Sequence, residues 1–372
     1  MASWSLILPR PSSMLLSCSL RSSTCTVRSV RSDDDTEEEE EEEQLPVGQA
    51  PPVDLWSKPS ECLAWAGDGQ CKANAGFMSV QCAWSCHKLE LGARRYRRRC
   101  PRPEHYPDAL AAGEMNATFA RALSAFPELQ PEQISADPPV ILFHNFLQPA
   151  EMAAFRGHGK GRYEKSLGVG MKDDGTMGDL ATEIRTSSHG WCNHADCLND
   201  PQVQSVVRRV SDITRTPETN AEFAQLVYYH GDGKQFYKEH NDYIEGDLEK
   251  LQGVRIFTLF AYLNDVPEGG GTRFTKLPAD SNCTSIVTGM TDPNCVARDI
   301  PGSSPGASPV TFQPKAGKAI LWPSVLAGDP HTKDSRTDHE ALPVTAGEKF
   351  GANFWIHQHD FKGAYAKGCT AS

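Results

Sequence analysis

The sequence lacks any run of about 18 apolar residues, so it offers no candidate transmembrane helix. It also lacks a surplus of positive charge: the formal net charge is −11 over 372 residues. Ten acids fall in one run, Asp33–Asp35 and Glu37–Glu43, and without them the balance of −11 becomes −1. A near-neutral folded part presents no field for a polyanion, which argues against nucleic acid as a partner. Residues 1–32 lack Asp and Glu altogether, yet carry Arg10, Arg21, Arg28 and Arg31 among many serines. Their apolar pieces, Leu6–Leu8 and Met14–Leu16, are short for a secretory core. This stretch reads as a targeting segment, either plastid or mitochondrial transit or a poor secretory signal, with a plain disordered tail as the alternative. Residues 1–53 therefore form a targeting segment and a disordered acidic linker, because blocks of like charge repel and stay extended.

What remains is richer. The apolar fraction of 39% supports a sizeable core and excludes wholesale disorder. The length suits about two domains. Twelve cysteines is a high count and favours an oxidising compartment. Cys62, Cys71, Cys82 and Cys86 fall within 25 positions, a segment too small for a large core and in need of cross-links. Zinc is the rival reading, since Cys82 and Cys86 have ligand-like spacing. Cys62 and Cys71 lie nine apart, which is wrong for a zinc knuckle, so disulfides are favoured.

Residues 54–90 resemble the ShK-toxin-like domain, whose Cys-x-x-Trp-Ala, Gly-x-Cys, Asn, Met and Cys-x-x-x-Cys pattern is matched by Cys62, Trp65, Gly69, Cys71, Asn74, Met78, Cys82 and Cys86. That family has six cysteines. The first and last positions correspond to Val53 and Leu89, as expected if one bridge was lost as a unit. The resemblance implies the pairs Cys62–Cys82 and Cys71–Cys86. Arg94, Arg95 and Arg97–Arg99 form a basic knot before Cys100, read as an exposed linker, so residues 91–137 are linker and helix.

Farther along, Ala109–Phe126 has helical apolar spacing, Val140–Phe146 reads as a strand, and helices are expected after Pro149 and from Pro201. From Leu226 the pattern turns to strands: Leu226–Tyr229, Val254–Leu263, Val310–Phe312, Ala319–Trp322 and Lys349–His357. Helices followed by many strands predict an α+β domain with a β-sandwich or barrel core.

His240-Asn241-Asp242 is the informative motif. On a strand, residues i and i+2 share a face, so imidazole and carboxylate converge on one ion. Two nitrogens and one oxygen around open positions suit non-haem Fe(II). His194-Ala195-Asp196 repeats the pattern, but Cys192 and Cys197 flank it closely and are read as bridging a surface loop. The surroundings distinguish His240: Arg255-Ile-Phe-Thr258, Tyr262-Leu-Asn-Asp265-Val266, Gly269-Gly270-Gly271-Thr272 and His339-Glu-Ala-Leu-Pro343-Val344 with Gly347-Glu-Lys349.

In these motifs, in their order, residues 138–360 resemble the catalytic domain of the prolyl 4-hydroxylase α-subunit type, among the 2-oxoglutarate- and Fe(II)-dependent dioxygenases. The resemblance implies a double-stranded β-helix (jelly-roll) core with flanking helices. It implies His240, Asp242 and His339 as iron ligands, with His331 the rival for the third place. It implies Lys349 as partner of the distal carboxylate of 2-oxoglutarate, a task suited to a compact ammonium. Lys349 lies ten residues after His339, an even spacing that would put both on one face of a regular strand. Tyr229 matches the cosubstrate tyrosine, with Tyr228 its competitor, and Thr258 is a further candidate for that pocket or a strand filler. Arg185, Trp191 and Trp355 are suggested on the substrate side.

The reaction so implied is hydroxylation of peptidyl proline in Pro-rich polypeptides, releasing succinate and CO₂, with ascorbate keeping the iron reduced. The alternatives are the same chemistry on peptidyl lysine, and a catalytically dead secreted binding protein. The Ser-, Pro- and Gly-rich stretch between Leu277 and Pro309 holds Cys283 and Cys295 and reads as an exposed loop clipped by its own disulfide. Asn116 and Asn282 head glycosylation sequons, meaningful only in a secretory compartment. The endoplasmic reticulum or Golgi lumen, or secretion, is therefore expected, with a plastid as the alternative. Residues 361–372 are expected to form a C-terminal tail.

Overall fold

A computed structural model of the chain describes residues 14–19, 24–29, 52–172, 177–180, 184–277, 295–297 and 310–370. The expected loop disulfide Cys283–Cys295 and the sequon at Asn282 lie outside what the described residues settle.

The larger domain is built on two antiparallel sheets. The strands of these two sheets, in chain order, are β1 (Pro131–Ala136), β2 (Pro139–Phe143), β3 (Glu164–Lys165), β4 (Ser188–Trp191), β5 (Gln225–His230), β6 (Tyr237–His240), β7 (Arg255–Tyr262), β8 (Thr272–Phe274), β9 (Cys295–Ala297), β10 (Val310–Phe312), β11 (Ala319–Pro323), β12 (His339–Ala341) and β13 (Glu348–His357). The major sheet has the order β1-β2-β11-β7-β13-β5-β4-β3, and the minor sheet the order β6-β12-β8-β10-β9. This is the jelly-roll architecture expected from the sequence.

Strand periodicity explains why the central strands are apolar throughout. In β7, Phe257, Leu259 and Ala261 face the helices Met115–Ser124, Pro149–Gly159 and Pro201–Thr214, and pack there with Phe119, Phe155 and Val206. Phe260 and Tyr262 face the other way, into the layer between the sheets with Phe274, Phe312 and Trp322. Both faces of the major sheet are buried, so alternation of polar and apolar residues is lost. The helix Pro201–Thr214 begins as its sequence predicts, with the Asp200 carboxylate accepting from the Gln202 N–H at 2.8 Å. The helix expected over Ala109–Phe126 is confined to Met115–Ser124.

The small domain consists of short helices, Pro59–Gly67, Gln70–Ala73 and Ala75–Gln81, and the long helix Ala83–Arg99. Its pairs Cys62–Cys82 and Cys71–Cys86 are disulfides, which leaves none of these sulfurs for zinc. Trp56, Trp65 and Phe77 pack together with ring centroids 5.6–5.8 Å apart. Asp54 accepts from the backbone N–H and hydroxyl of Ser85 at the start of the long helix.

Two sequence expectations are corrected. Cys100 does not lie in a free linker, and the C-terminus is not a simple tail. Cys100 is bonded to Cys369, both are buried, and the helix Phe361–Ala366 packs beside them. The Tyr96 hydroxyl donates to the Cys369 carbonyl at 2.9 Å and accepts from the Leu251 N–H at 2.8 Å, so the end of the long helix is anchored just past the His240 segment. Among the described residues, no helix is long and apolar enough to cross a membrane.

Candidate metal centre and cosubstrate cavity

The register of β6 against β12 sets His240 directly opposite His339. Their rings lie 4.4 Å apart. The chain then turns, and Asn241 pins the turn by donating to the Asp334 carbonyl and the Asp338 carboxylate. That anchor aims Asp242 back at the two rings. Its Oδ1 is 3.9 Å from His240 Nε2 and its Oδ2 is 3.6 Å from His339 Nε2. One ligand atom from each of the three residues lies within 4.8 Å of the others, the arrangement that a single ion requires.

The neighbours fix which atoms face the ion. His240 Nδ1 lies 2.8 Å from the Lys238 carbonyl and His339 Nδ1 lies 3.0 Å from the Thr337 carbonyl. A carbonyl only accepts, so each Nδ1 carries the proton and each Nε2 turns a lone pair inward. Burial, aided by the neighbouring His339, brings His240 down to about 3, so it stays neutral and ready to ligate. Burial pushes the Asp242 carboxyl up, but the two imidazoles, Arg255 and Thr258 outweigh it and hold it below its ordinary range. Thr258, expected beside the cosubstrate, instead donates to Asp242 Oδ2 at 2.7 Å and orients that carboxylate.

The cluster forms one side of a cavity between the sheets that opens to solvent. Val227 and Tyr229 from β5, Phe260 from β7 and Lys349, Asn353 and Trp355 from β13 form the facing wall. Lys349 is 1% exposed. Its Nζ donates to the Gly270 carbonyl at 2.7 Å and lies over the rings of Tyr229, Phe260 and Tyr262. Among the described residues no carboxylate pairs with it, and burial brings it down to about 7. Gly270 has φ +71°, a conformation that L side chains rarely adopt, and a Cβ there would press on Val344 at 3.0 Å, which accounts for a glycine beside the lysine.

Lys349 and His339 do not share a regular strand, as their even spacing suggested. His339 is on β12 of the minor sheet and Lys349 on β13 of the major sheet, and they meet by facing across the cavity. Tyr229 and Tyr228 point to opposite faces of β5. Tyr229 lines the cavity, while Tyr228 donates to Glu348 Oε1 at 2.6 Å on the outer face.

Arg185 is buried in the cavity wall, donating to Gln225 Oε1 at 2.9 Å and stacking 4.8 Å over Tyr237. Trp355 lines the cavity, but Trp191 only packs behind it, with centroids 6.1 Å apart. His331 is half exposed, bonded to Asp108 at 2.8 Å and absent from the cluster. His194 likewise lies apart from it.

Several residues were missed from sequence. Tyr237 stacks on His240 with centroids 3.5 Å apart, and its place three residues before that histidine was the available signal. Arg255 lies 3.8 Å over the Trp355 ring and donates to Glu222 at 2.6 Å. Glu222 also meets His357 Nε2 at 2.7 Å. Burial pushes Glu222 up, but Arg255 and His357 outweigh it and hold it low. Nothing in the spacing of Glu222, Arg255 and His357 announces this network.

The donor set fits a ferrous ion: two inward imidazole nitrogens and one carboxylate on one side, with open space opposite. The uncompensated ammonium of Lys349 in the same cavity fits a dicarboxylate cosubstrate, because a buried charge needs a partner. The family model of the 2OG-Fe(II) oxygenase superfamily matches residues 224–357. The chain is thus a 2-oxoglutarate- and Fe(II)-dependent dioxygenase. Prolyl 4-hydroxylase 1 of Arabidopsis thaliana is 30% identical over 232 residues, which span 62% of this chain and 72% of that relative. Probable prolyl 4-hydroxylase 7 of the same plant is 31% identical over 248 residues, 64% of this chain and 69% of that relative. The chain belongs to the prolyl 4-hydroxylase family. Among solved structures, a viral collagen prolyl hydroxylase from Paramecium Bursaria Chlorella virus-1 aligns over 59% of this chain and 95% of its own, with 21% identity and a TM-score of 0.37.

Proposed function

We propose that this enzyme hydroxylates prolyl residues in extended, Pro-rich polypeptides. The observation that carries the reading is the pairing of one metal-ready cluster with one uncompensated ammonium in a single cavity, in a chain whose relatives carry the name prolyl 4-hydroxylase. The aromatic wall of Tyr237 and Trp355 beside the Arg185 guanidinium suits a preformed polyproline II segment, which docks in aromatic-lined grooves.

His240, Asp242 and His339 would hold Fe(II). Lys349 and Tyr229 would hold 2-oxoglutarate by its distal carboxylate, the ammonium supplying charge and the phenol a hydrogen bond. When bound, the iron and cosubstrate supply the oxidation of an unactivated C–H bond, with succinate and CO₂ as products, and ascorbate serves the family as reductant. The chain's own contributions are geometric. The Lys238 and Thr337 carbonyls hold the two imidazoles in one tautomer. Thr258 holds the carboxylate, and Tyr237 covers one face of His240 against water. Arg255 braces Trp355 at the substrate side.

The small domain is read as ShK-toxin-like, spanning residues 54–90 ahead of the oxygenase domain at 138–360. Four disulfides among the described residues support an oxidising compartment such as the endoplasmic reticulum or Golgi lumen. Asn116 stands exposed in the first turn of its helix, available to a glycan, although Thr118 of that sequon is buried in the fold. The test is mass spectrometry of proline-rich and lysine-containing peptides after incubation with enzyme, iron, 2-oxoglutarate and ascorbate. Gain of one oxygen on proline is expected. Gain on lysine, or succinate without peptide modification, would redirect or reject the assignment.

A further inference from the structure

The second His-x-Asp motif lies on a turn beside the bridged Cys192 and Cys197, and its histidine belongs to a cluster of its own. His194 stands at the N-terminal side of the turn Ala195–Leu198, three residues before Cys197, so the two side chains share one face. His158, on the helix Pro149–Gly159, comes from the other side, with its ring 5.7 Å from that of His194. One nitrogen of each histidine and the Cys197 sulfur lie within 4.8 Å of one another. Asp200 adds a carboxylate oxygen 2.9 Å from His158 Nε2. Asp196, the acid of the motif, is exposed and takes no part. The His194 Nε2 atom is shut off from solvent and has no hydrogen-bond partner, an imidazole nitrogen aimed at nothing that accepts or donates.

What closes the site is Cys192, bonded to Cys197 across five positions, with both sulfurs buried. A disulfide sulfur is a poor ligand; a thiolate is a strong one. We propose that His158, His194 and Cys197 form a second metal site, with Asp200 at its edge, which opens to a borderline-soft divalent cation such as Zn²⁺ when the Cys192–Cys197 bond is reduced. A dithiol reductant supplies two electrons and two protons. The Cys192–Cys197 sulfur–sulfur bond breaks, two thiols form, and the reductant closes its own disulfide. The cation then binds Cys197 Sγ, whose proton passes to solvent, and two imidazole nitrogens complete three ligands, with Asp200 or water as the fourth. The site ties together the helix bearing His158, the turn after β4 and the start of the helix Pro201–Thr214. It is separate from the iron cluster, which contains no sulfur.

Cys192→Ser in the full-length chain tests this, since it frees the Cys197 thiol without opening the other bridges. The probe is Co²⁺, whose bonds to thiolate give a charge-transfer absorption in the near ultraviolet. With the iron site first filled by Fe(II) under anaerobic conditions, one further equivalent should raise that band in the variant and not in the oxidised parent. Adding His194→Ala or His158→Ala should weaken the affinity about 10- to 100-fold. No band in a folded Cys192→Ser protein, or a band indifferent to both histidines, overturns the proposal. Should the variant fold poorly, the parent protein is reduced in steps and its thiols are alkylated with and without Zn²⁺. Protection of Cys197 relative to Cys192 is expected, and equal labelling of the two overturns it.

Discussion

The oxygenase core and the small cysteine domain are held by different physics. In the core, strand register brings remote groups together: His240 meets His339 because β6 pairs with β12. Two apolar layers enforce that register, one between the sheets and one beneath the helices. The small domain's fully buried hydrophobic cluster is just Cys62, Ala66, Met78 and Cys82, and the domain relies on two cross-links. A polar or charged group inside the core can therefore be kept for chemistry, as Lys349 and Asp242 are, because the surrounding burial over-determines the fold. The small domain has no such reserve, and two of its four buried apolar residues, Cys62 and Cys82, form one of the staples.

The sharpest way to break the comparison is to remove one metal ligand. His339→Ala or Asp242→Ala should lower iron affinity by roughly a hundredfold or more and abolish turnover. Both domains should still melt as in the parent, since the core does not need these groups to fold. Metal content and calorimetry check this. Lys349→Ala should weaken 2-oxoglutarate binding by ~30- to 1,000-fold, the cost of stripping one partner from a buried charge pair, while iron binding persists.

The pH dependence follows from the same lysine. Burial lowers Lys349 from 10.5 to about 7 in the free enzyme. Between those values the unfolded chain binds the proton and the folded chain does not, so this group makes the cosubstrate-free protein more stable as pH rises from 7 toward 10.5. On the proposed assignment the ammonium is the form that would bind the carboxylate. Affinity for 2-oxoglutarate should be flat below pH 7 and then fall by up to about tenfold per pH unit, with proton uptake on binding. Lys349→Ala should erase that dependence.

Smaller effects separate the staples. Cys100→Ser with Cys369→Ser opens a bridge that spans 269 positions and should cost about 3–5 kcal/mol while sparing the catalytic cavity. Cys71→Ser with Cys86→Ser should cost about 2–4 kcal/mol. That loss should appear as early melting of the small domain alone, with core unfolding and peptide turnover retained. A common shift of both transitions would show that the two regions are one cooperative unit.

Much of the core was legible because long apolar strands speak clearly. β5, β7, β11 and β13 all fall where the sequence placed strands, and so does the short β10, where apolar Val310 and Phe312 flank one threonine. The shorter β6, β8 and β12 were not read as strands, because three or four residues with polar members carry little periodicity. These same strands hold His240, Thr272 and His339, so their roles came from motif order rather than from propensity. The Cys100–Cys369 bridge was hidden because nothing local links a linker cysteine to one near the C-terminus. Thr258 and Tyr228 show the limit of strand logic: alternation says that neighbours face opposite ways, but not which face meets the cavity. The buried partners Glu222, Arg255 and His357 meet only through tertiary packing.

The central claim is that Lys349 reads the carboxylate of a cosubstrate bound beside the iron held by His240, Asp242 and His339. Anaerobic calorimetric titration of 2-oxoglutarate into the iron-loaded enzyme tests it most directly. One site per chain is predicted, with affinity strongly reduced in Lys349→Ala and binding unchanged in Cys71→Ser with Cys86→Ser. Equal affinity in the parent and Lys349→Ala proteins would contradict the account.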